Sequence, residues 1–129
     1  MILLGIDFGL QKIGLSFADS NFAEPLMVLP NDAKTITKLV NLCQQKEINK
    51  LVIGRPEGIL IPQLENFAEV LRLATGLPFV WQDETLTSHD ALVKMREAGK
   101  SRQSAKARED AVAAALILQD YINSQPKEN

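Results

Sequence analysis

The sequence predicts an α/β domain built on a mixed five-stranded sheet with helices on its faces. Three observations carry that prediction. Short apolar runs of strand length alternate with stretches whose apolar residues recur at helical spacing. The first two runs are joined only by Gly9-Leu10-Gln11-Lys12, a link short enough to make them an antiparallel hairpin. The later runs are separated by helical stretches, as in β-α units.

Residues 1–8 read as a buried strand, and as the most uniformly apolar run they belong at the centre of the sheet. Residues 13–18 form the second strand, with Gly14, Ser16 and Ala18 alternating against Ile13, Leu15 and Phe17. Leu26-Met27-Val28-Leu29, bounded by Pro25 and Pro30, is a short third strand toward an edge, where proline is tolerated. Asp32 is the expected N-cap of a helix carrying Ile36, Leu39, Val40 and Cys43. Residues 50–54 form the fourth strand, stopped by Gly54-Arg55-Pro56. Leu64, Phe67, Ala68 and Leu71 mark a second helix that ends near Gly76, and residues 78–82 form the fifth strand. Thr87 and Asp90 make a capping box for a third helix, which Gly99 closes. The last helix covers residues 104–123. The expected order is β-β-β-α-β-α-β-α-α, one domain over residues 1–123, with a polar tail at 124–129.

Of the 129 residues, 46% are apolar and 23% charged, which suits a packed core and excludes global disorder. A net charge of -2 gives no bulk attraction to nucleic acid. The charge is unevenly placed, however. Residues 94–108 hold six bases (Lys94, Arg96, Lys100, Arg102, Lys106, Arg108) against one acid, Glu97. The single cysteine, Cys43, excludes an intrachain disulfide and a Cys-based metal site, and fits a reducing compartment. The N-terminal apolar stretch is too short for a membrane span and lacks the basic flank of a signal peptide. A cytoplasmic protein with no membrane partner is expected.

Carboxylates stand where a folded domain has little structural use for them. Asp7 ends the first apolar run, at the end of a strand where open α/β sheets place their sites. A turn aspartate is the plain alternative. Yet Gly9 follows, where a phosphate can approach the backbone, and then Lys12, a cation. Asp83 and Glu84 end the fifth strand, and the helix after them has its own box, so a helix-charging role is already filled. Strand alternation puts the two on opposite faces and leaves open which one points inward. Asp110 opens a small and apolar helical segment and shares a face with Ala114, Ile117, Leu118 and Tyr121. A carboxylate at the leading end of a buried face needs a partner. Lys106 or Arg108 is the structural alternative, although Glu109 would serve that pairing equally well. Acids gathered in one place repel one another, and a divalent metal with oxygen ligands is the plainest compensation.

Taken together, Gly5-Ile6-Asp7-Phe8-Gly9 through Ile13-Gly14, Leu51-Val52-Ile53-Gly54-Arg55-Pro56, Asp83-Glu84-Thr85-Leu86-Thr87-Ser88, and Asp110-Ala111-Val112-Ala113-Ala114 through Ile117-Leu118-Gln119 form one ordered pattern. It resembles the YqgF family of RNase H-like proteins, described as Holliday junction resolvases and as pre-16S rRNA nucleases. The resemblance spans nearly the whole chain and implies an RNase H-like fold. It also implies an acidic site for Mg²⁺ or Mn²⁺, with Asp7, Glu84 and Asp110 as catalytic and metal-binding positions. Two ions about 4 Å apart would then flank a scissile phosphate, one activating water and the other stabilising the leaving oxygen. The chain departs from the family pattern in having Lys12 and Thr85 where arginines are usual, and in a shortened segment, Glu57-Gly58-Ile59-Leu60-Ile61-Pro62. Arginine binds phosphate bidentately, which neither residue reproduces.

The expected activity is therefore metal-dependent cleavage of structured nucleic acid, foremost the 16S rRNA precursor. The expected substrate contacts are Gly9, Lys12, Arg55, Asp83 and Thr85 beside the acids, and Arg102, Lys106 and Arg108 along the phosphate backbone. His89 reads as a first-turn helix residue and Trp81 as core or interface, since no second aromatic accompanies it. Three other readings compete. Resolution of branched DNA needs a symmetric dimer, whereas rRNA cleavage is open to a monomer or a homodimer. A nucleotide switch of the actin and sugar-kinase type needs two lobes, and this chain has one. A catalytically silent nucleic-acid-binding adaptor would keep the fold and lose the chemistry.

Overall fold

The computed structural model describes residues 1–56, 61–84 and 102–126, with backbone alone for 102–109. The expected third helix, Thr85, His89, Lys94, Arg96 and Lys100 lie outside the described residues, as do the side chains of Arg102, Lys106 and Arg108.

Among the described residues, five strands and three helices follow one another: β1 (Leu3–Asp7), β2 (Lys12–Ala18), β3 (Glu24–Pro30), α1 (Thr35–Gln45), β4 (Lys50–Arg55), α2 (Pro62–Thr75), β5 (Phe79–Asp83) and α3 (Arg102–Ser124). The sheet order is β3-β2-β1-β4-β5. β1, β2 and β3 are antiparallel neighbours, while β4 and β5 extend the sheet in parallel on the other side of β1. The mixed five-stranded sheet is as expected, with β1 at its centre. The carboxyl ends of β1, β4 and β5 therefore lie at one end of the sheet. Prolines 25 and 30 fall within β3, which is an edge strand and tolerates their missing donors.

Strand alternation divides the core in two. Leu4 and Ile6 of β1, Ile13 and Leu15 of β2, and Leu51 and Ile53 of β4 pack with Leu39, Leu64, Phe67 and Leu71 of α1 and α2. Phe79 and Trp81 of β5 pack against the same cluster, edge to face. The opposite face carries Leu3, Ala18 and Val52, under Ile117 and Leu118 of α3. Each large aliphatic side chain fully withdrawn from water contributes about 1.5–3 kcal/mol. The face of α3 predicted from its spacing is the one that packs: Ala114, Ile117 and Leu118 are essentially inaccessible. Ser16 Oγ donates to the Ala114 carbonyl at 2.7 Å, and Gln119 bonds to the backbone of Asn21 and Ala23, so both β2 and the turn after it are tied to α3.

Three local expectations need correction. Asp32 is not the N-cap of α1, which starts at Thr35 with no side-chain cap. Its carboxylate accepts from the N–H of Lys34, the N-cap residue itself, at 2.8 Å in the preceding turn, and so does not cap the first turn of the helix. β4 runs one residue past the expected end at Gly54, to Arg55, and stops before Pro56. Asp110 is not at the leading end of its helix, since α3 begins at Arg102 and Asp110 stands about two turns inside it. Gly76 ends α2 as expected, at φ 71° in the left-handed region that suits glycine. Among the described residues, no helix is long and apolar enough to cross a membrane.

Candidate active site

Strand parity decides what meets what at the end of the sheet. Asp7 shares the parity of Leu3, so it points to the α3 face. Lys12 and Gly14 share the parity of Ser16 and Ala18, on the same face. Glu84 follows β5 with the parity of Val80, which also packs under α3. Its N–H donates to the Arg55 carbonyl at 3.1 Å, which continues the β4–β5 ladder past Asp83. Asp83 and Arg55 carry the other parity, that of Trp81 and Ile53.

The sequence left open whether Asp83 or Glu84 turns inward, and the geometry answers that Glu84 does. The side chains of Asp7 and Glu84 are hydrogen-bonded, and the charge of Asp110 acts on Asp7 as well. Asp83 instead pairs with the Arg55 Nε at 2.8 Å, on the exposed opposite side. Asp7, Glu84 and Asp110 thus come together from β1, the end of β5 and α3, with Lys12 beside them.

Glycines make the convergence possible. Asp7 is paired with Gly14 in β2. Gly54 of β4 follows the Ile6–Ile53 pair, so it flanks Asp7 on the other side. A Cβ on Gly14 would lie 1.9 Å from the Asp110 carbonyl oxygen. A Cβ on Gly54 would meet Ile117 Cδ1 at 2.4 Å and Glu84 Oε1 at 3.4 Å. One bare neighbour admits the helix bearing Asp110, and the other lies beneath Glu84. Gly9 has a local reason as well: a Cβ there would lie 2.5 Å from the Lys12 carbonyl oxygen across the hairpin turn.

The electrostatics are frustrated. Burial first, then the charge of Glu84 and the hydrogen bond to it, then the charge of Asp110, push the Asp7 carboxyl up to about 8 from its ordinary 3.8. Asp110 meets the Lys12 ammonium, with Nζ 2.8 Å from Oδ2. That contact is an ion pair without hydrogen-bond alignment, and Oδ2 is closed to solvent with no hydrogen-bond partner among the described residues. A cleft of about 420 Å³ opens here, lined by residues 7–12 and Asp110. Among the described residues, no three His, Cys, Asp or Glu side chains stand ready as a complete metal-ligand set. The pairings account for this, because Asp7 is turned to Glu84 and Asp110 to Lys12. The donor set still fits a divalent cation. It is all oxygen, it carries an orphaned carboxylate atom, and it holds one acid that a nearby positive charge would ionise.

The sequence pointed to the three acids and to Lys12. It carried no sign that Lys12 is the partner of Asp110, because the two lie at opposite ends of the chain. The space-making roles of Gly14 and Gly54 were missed too, although the small-residue alternation along β2 was a signal for Gly14.

The layered sheet and its acidic end define an RNase H-like fold of the resolvase kind. Fowlpox virus resolvase, solved with substrate Holliday junction DNA, superposes with a TM-score of 0.63 over 98% of this chain and 100% of that one, at 11% identity. Thermus thermophilus RuvC, in complex with a Holliday junction substrate, superposes with a TM-score of 0.58 over 95% of each chain, at 16% identity. The family model described as "RuvX: Holliday junction resolvase" matches residues 1–124, and the chain belongs to this family, the YqgF family its motifs resemble. A relative from Protochlamydia amoebophila is 35% identical over 95% of this chain and 93% of its own. Another, from Anaeromyxobacter sp., is 33% identical over 97% and 98%. Each bears the name "Putative pre-16S rRNA nuclease".

Proposed function

We propose that this chain is a divalent-metal-dependent nuclease that acts on structured RNA, and that its substrate is the 16S rRNA precursor. The observation that carries the reading is the meeting of Asp7, Glu84 and Asp110 from three separate elements, with Asp7 pushed up to about 8 by the other two and by burial. A fold does not gather acids that repel one another for stability. Mg²⁺ or Mn²⁺, when bound, supplies the positive charge that activates water and steadies the leaving oxygen.

The chain's own residues do the rest. Asp7, central and bordered by Gly14 and Gly54, is the ligand best placed to be shared. Glu84 and Asp110 reach it from its two sides and complete the ligand set. The cleft along residues 7–12 receives the phosphate backbone, with Lys12 as a point charge on it. No protein nucleophile is needed. The basic residues Arg102, Lys106 and Arg108 extend the path for the strand, and Thr85 adjoins Glu84 in sequence.

The test is cleavage of a 16S precursor fragment with Mg²⁺ or Mn²⁺, beside an Asp7→Asn control. Metal-dependent cleavage lost in the control supports the reading, and equal cleavage by both proteins overturns it. The family description favours a second substrate, branched DNA. A four-way junction in the same assay separates the two. Junction cleavage also requires a dimer, which sedimentation detects.

A further inference from the structure

We propose that Lys12 is a built-in stand-in cation. It holds Asp110 before a divalent ion arrives and passes to a substrate phosphate once one has bound, so that metal and nucleic acid bind cooperatively. The inference rests on the reading of Asp7, Glu84 and Asp110 as metal ligands.

The geometry gives Lys12 two possible partners. Its Nζ lies 2.8 Å from Asp110 Oδ2, an atom with no hydrogen bond of its own. Its side chain is also 39% exposed and lines the cleft beside Asp7, on the hairpin turn where the proposed phosphate path runs. Lysine suits such an exchange. Its ammonium is a single charge on a flexible four-carbon stem, with no fork to hold it in one bidentate geometry. The two side chains are 39% and 30% exposed, so water screens the pair and it is weak, although Oδ2 itself is covered. Asp7, Glu84 and Asp110 together would hold a divalent ion, whose charge is twice that of the ammonium, so Asp110 would be drawn away from Lys12. The freed ammonium is then left without a counter-charge at the mouth of the cleft, where a phosphate is its natural partner. By linkage, if metal strengthens nucleic-acid binding, nucleic acid strengthens metal binding by the same factor.

The test titrates Mn²⁺ calorimetrically, at fixed pH, into the wild type, Lys12→Gln and Arg55→Gln. The last removes a charge of the same sign that faces Asp83 and not Asp110, so it measures the general effect of charge. Lys12→Gln should bind Mn²⁺ up to about fivefold more tightly than the wild type, the equivalent of one exposed ion pair, with little change in Arg55→Gln. An unchanged affinity in Lys12→Gln, or an equal gain in Arg55→Gln, overturns the proposal. In a second arm, binding of a fluorescent RNA hairpin is compared in Ca²⁺ and in EDTA. Ca²⁺ should tighten RNA binding in the wild type clearly more than in Lys12→Gln, and equal tightening overturns the handover. A wild type that takes up no Mn²⁺ at all brings down the metal-ligand reading itself, a result distinct from either of these.

Discussion

Gly14 in β2 lies directly beneath Asp110 in α3, so close that a Cβ on the glycine would come within 1.9 Å of the aspartate's carbonyl oxygen. Gly14 is also the register partner of Asp7. One bare position therefore sets both the approach of the helix to the sheet and the meeting of two acids. Because the obstacle is backbone and not a flexible side-chain tip, Gly14→Ala must push α3 outward.

The expected result is a loss of about 1–3 kcal/mol of stability, as for overpacking, together with loss of the Mn²⁺-induced rise in melting temperature. Gly76→Ala is the matched control. There the strain is in the left-handed backbone, at about 1–2 kcal/mol, with open space around the new methyl. Its Mn²⁺ response should survive intact. Thermal melting with and without Mn²⁺ reads both variants, and a Gly14→Ala protein that keeps the full metal shift would contradict the argument.

Asp7→Asn should separate stability from activity. The amide keeps a hydrogen bond to Glu84 and removes a carboxyl that burial and two acids disfavour. The metal-free variant should be more stable than the wild type at neutral pH, by at least about 1 kcal/mol, since a tenfold weakening of an acid on folding costs about 1.4 kcal/mol. Cleavage should fall by at least about 100-fold, because even residues outside the ligand set cost up to that much when altered. Urea melts and the nuclease assay together measure the trade. A destabilised Asp7→Asn would show that the cluster is not strained.

The same carboxyl sets a pH dependence. Below about 4, Asp7 is protonated in both the folded and unfolded chains and contributes no slope. Between about 4 and 8 the unfolded chain has released the proton while the folded chain still holds it. The folded state then binds more protons, so the stability of the metal-free protein falls as pH rises through this window and levels off above it. Metal must displace that proton, so Mn²⁺ affinity should climb over the same range. Melting curves from pH 4.5 to 9, read against Asp7→Asn, isolate the contribution. A wild-type profile parallel to that of the variant would remove it.

Much of this was legible in the sequence because it follows from local rules. Uniform apolarity put β1 at the centre, the spacing of Ala114, Ile117 and Leu118 marked the buried face of α3, and Gly76 marked the end of α2. What was not legible depends on which face each helix covers. Alternation shows that Asp83 and Glu84 diverge, but only the packing of Trp81 toward α1 and α2 and of Val80 toward α3 tells which one enters the site. The use of Gly54 is hidden for the same reason, since it appears only once Ile117 and Glu84 are above it. The Lys12–Asp110 pair is a long-range contact with no local signature, and the bases Lys106 and Arg108, nearer to Asp110 along the chain, are the partners that spacing alone suggests.

Face assignment also distinguishes Lys12 from Arg55, the two cations expected to touch substrate beside the acids. Lys12 is on the α3 side with the acids, whereas Arg55 is paired with Asp83 on the side of α1 and α2. If the phosphate backbone follows the cleft along residues 7–12, Lys12 exchanges a counter-ion with it and Arg55 does not. Removing one phosphate contact lowers the salt slope of binding by about 1. RNA-hairpin binding in Ca²⁺, measured over a range of salt concentrations, should therefore lose about one unit of slope in Lys12→Gln and none in Arg55→Gln. Arg55→Gln should also leave the melting temperature nearly unchanged, since its partner is exposed. A slope lost in Arg55→Gln instead would mean that the nucleic acid wraps around the end of β4 onto the opposite face, and the path drawn through the cleft would have to be abandoned.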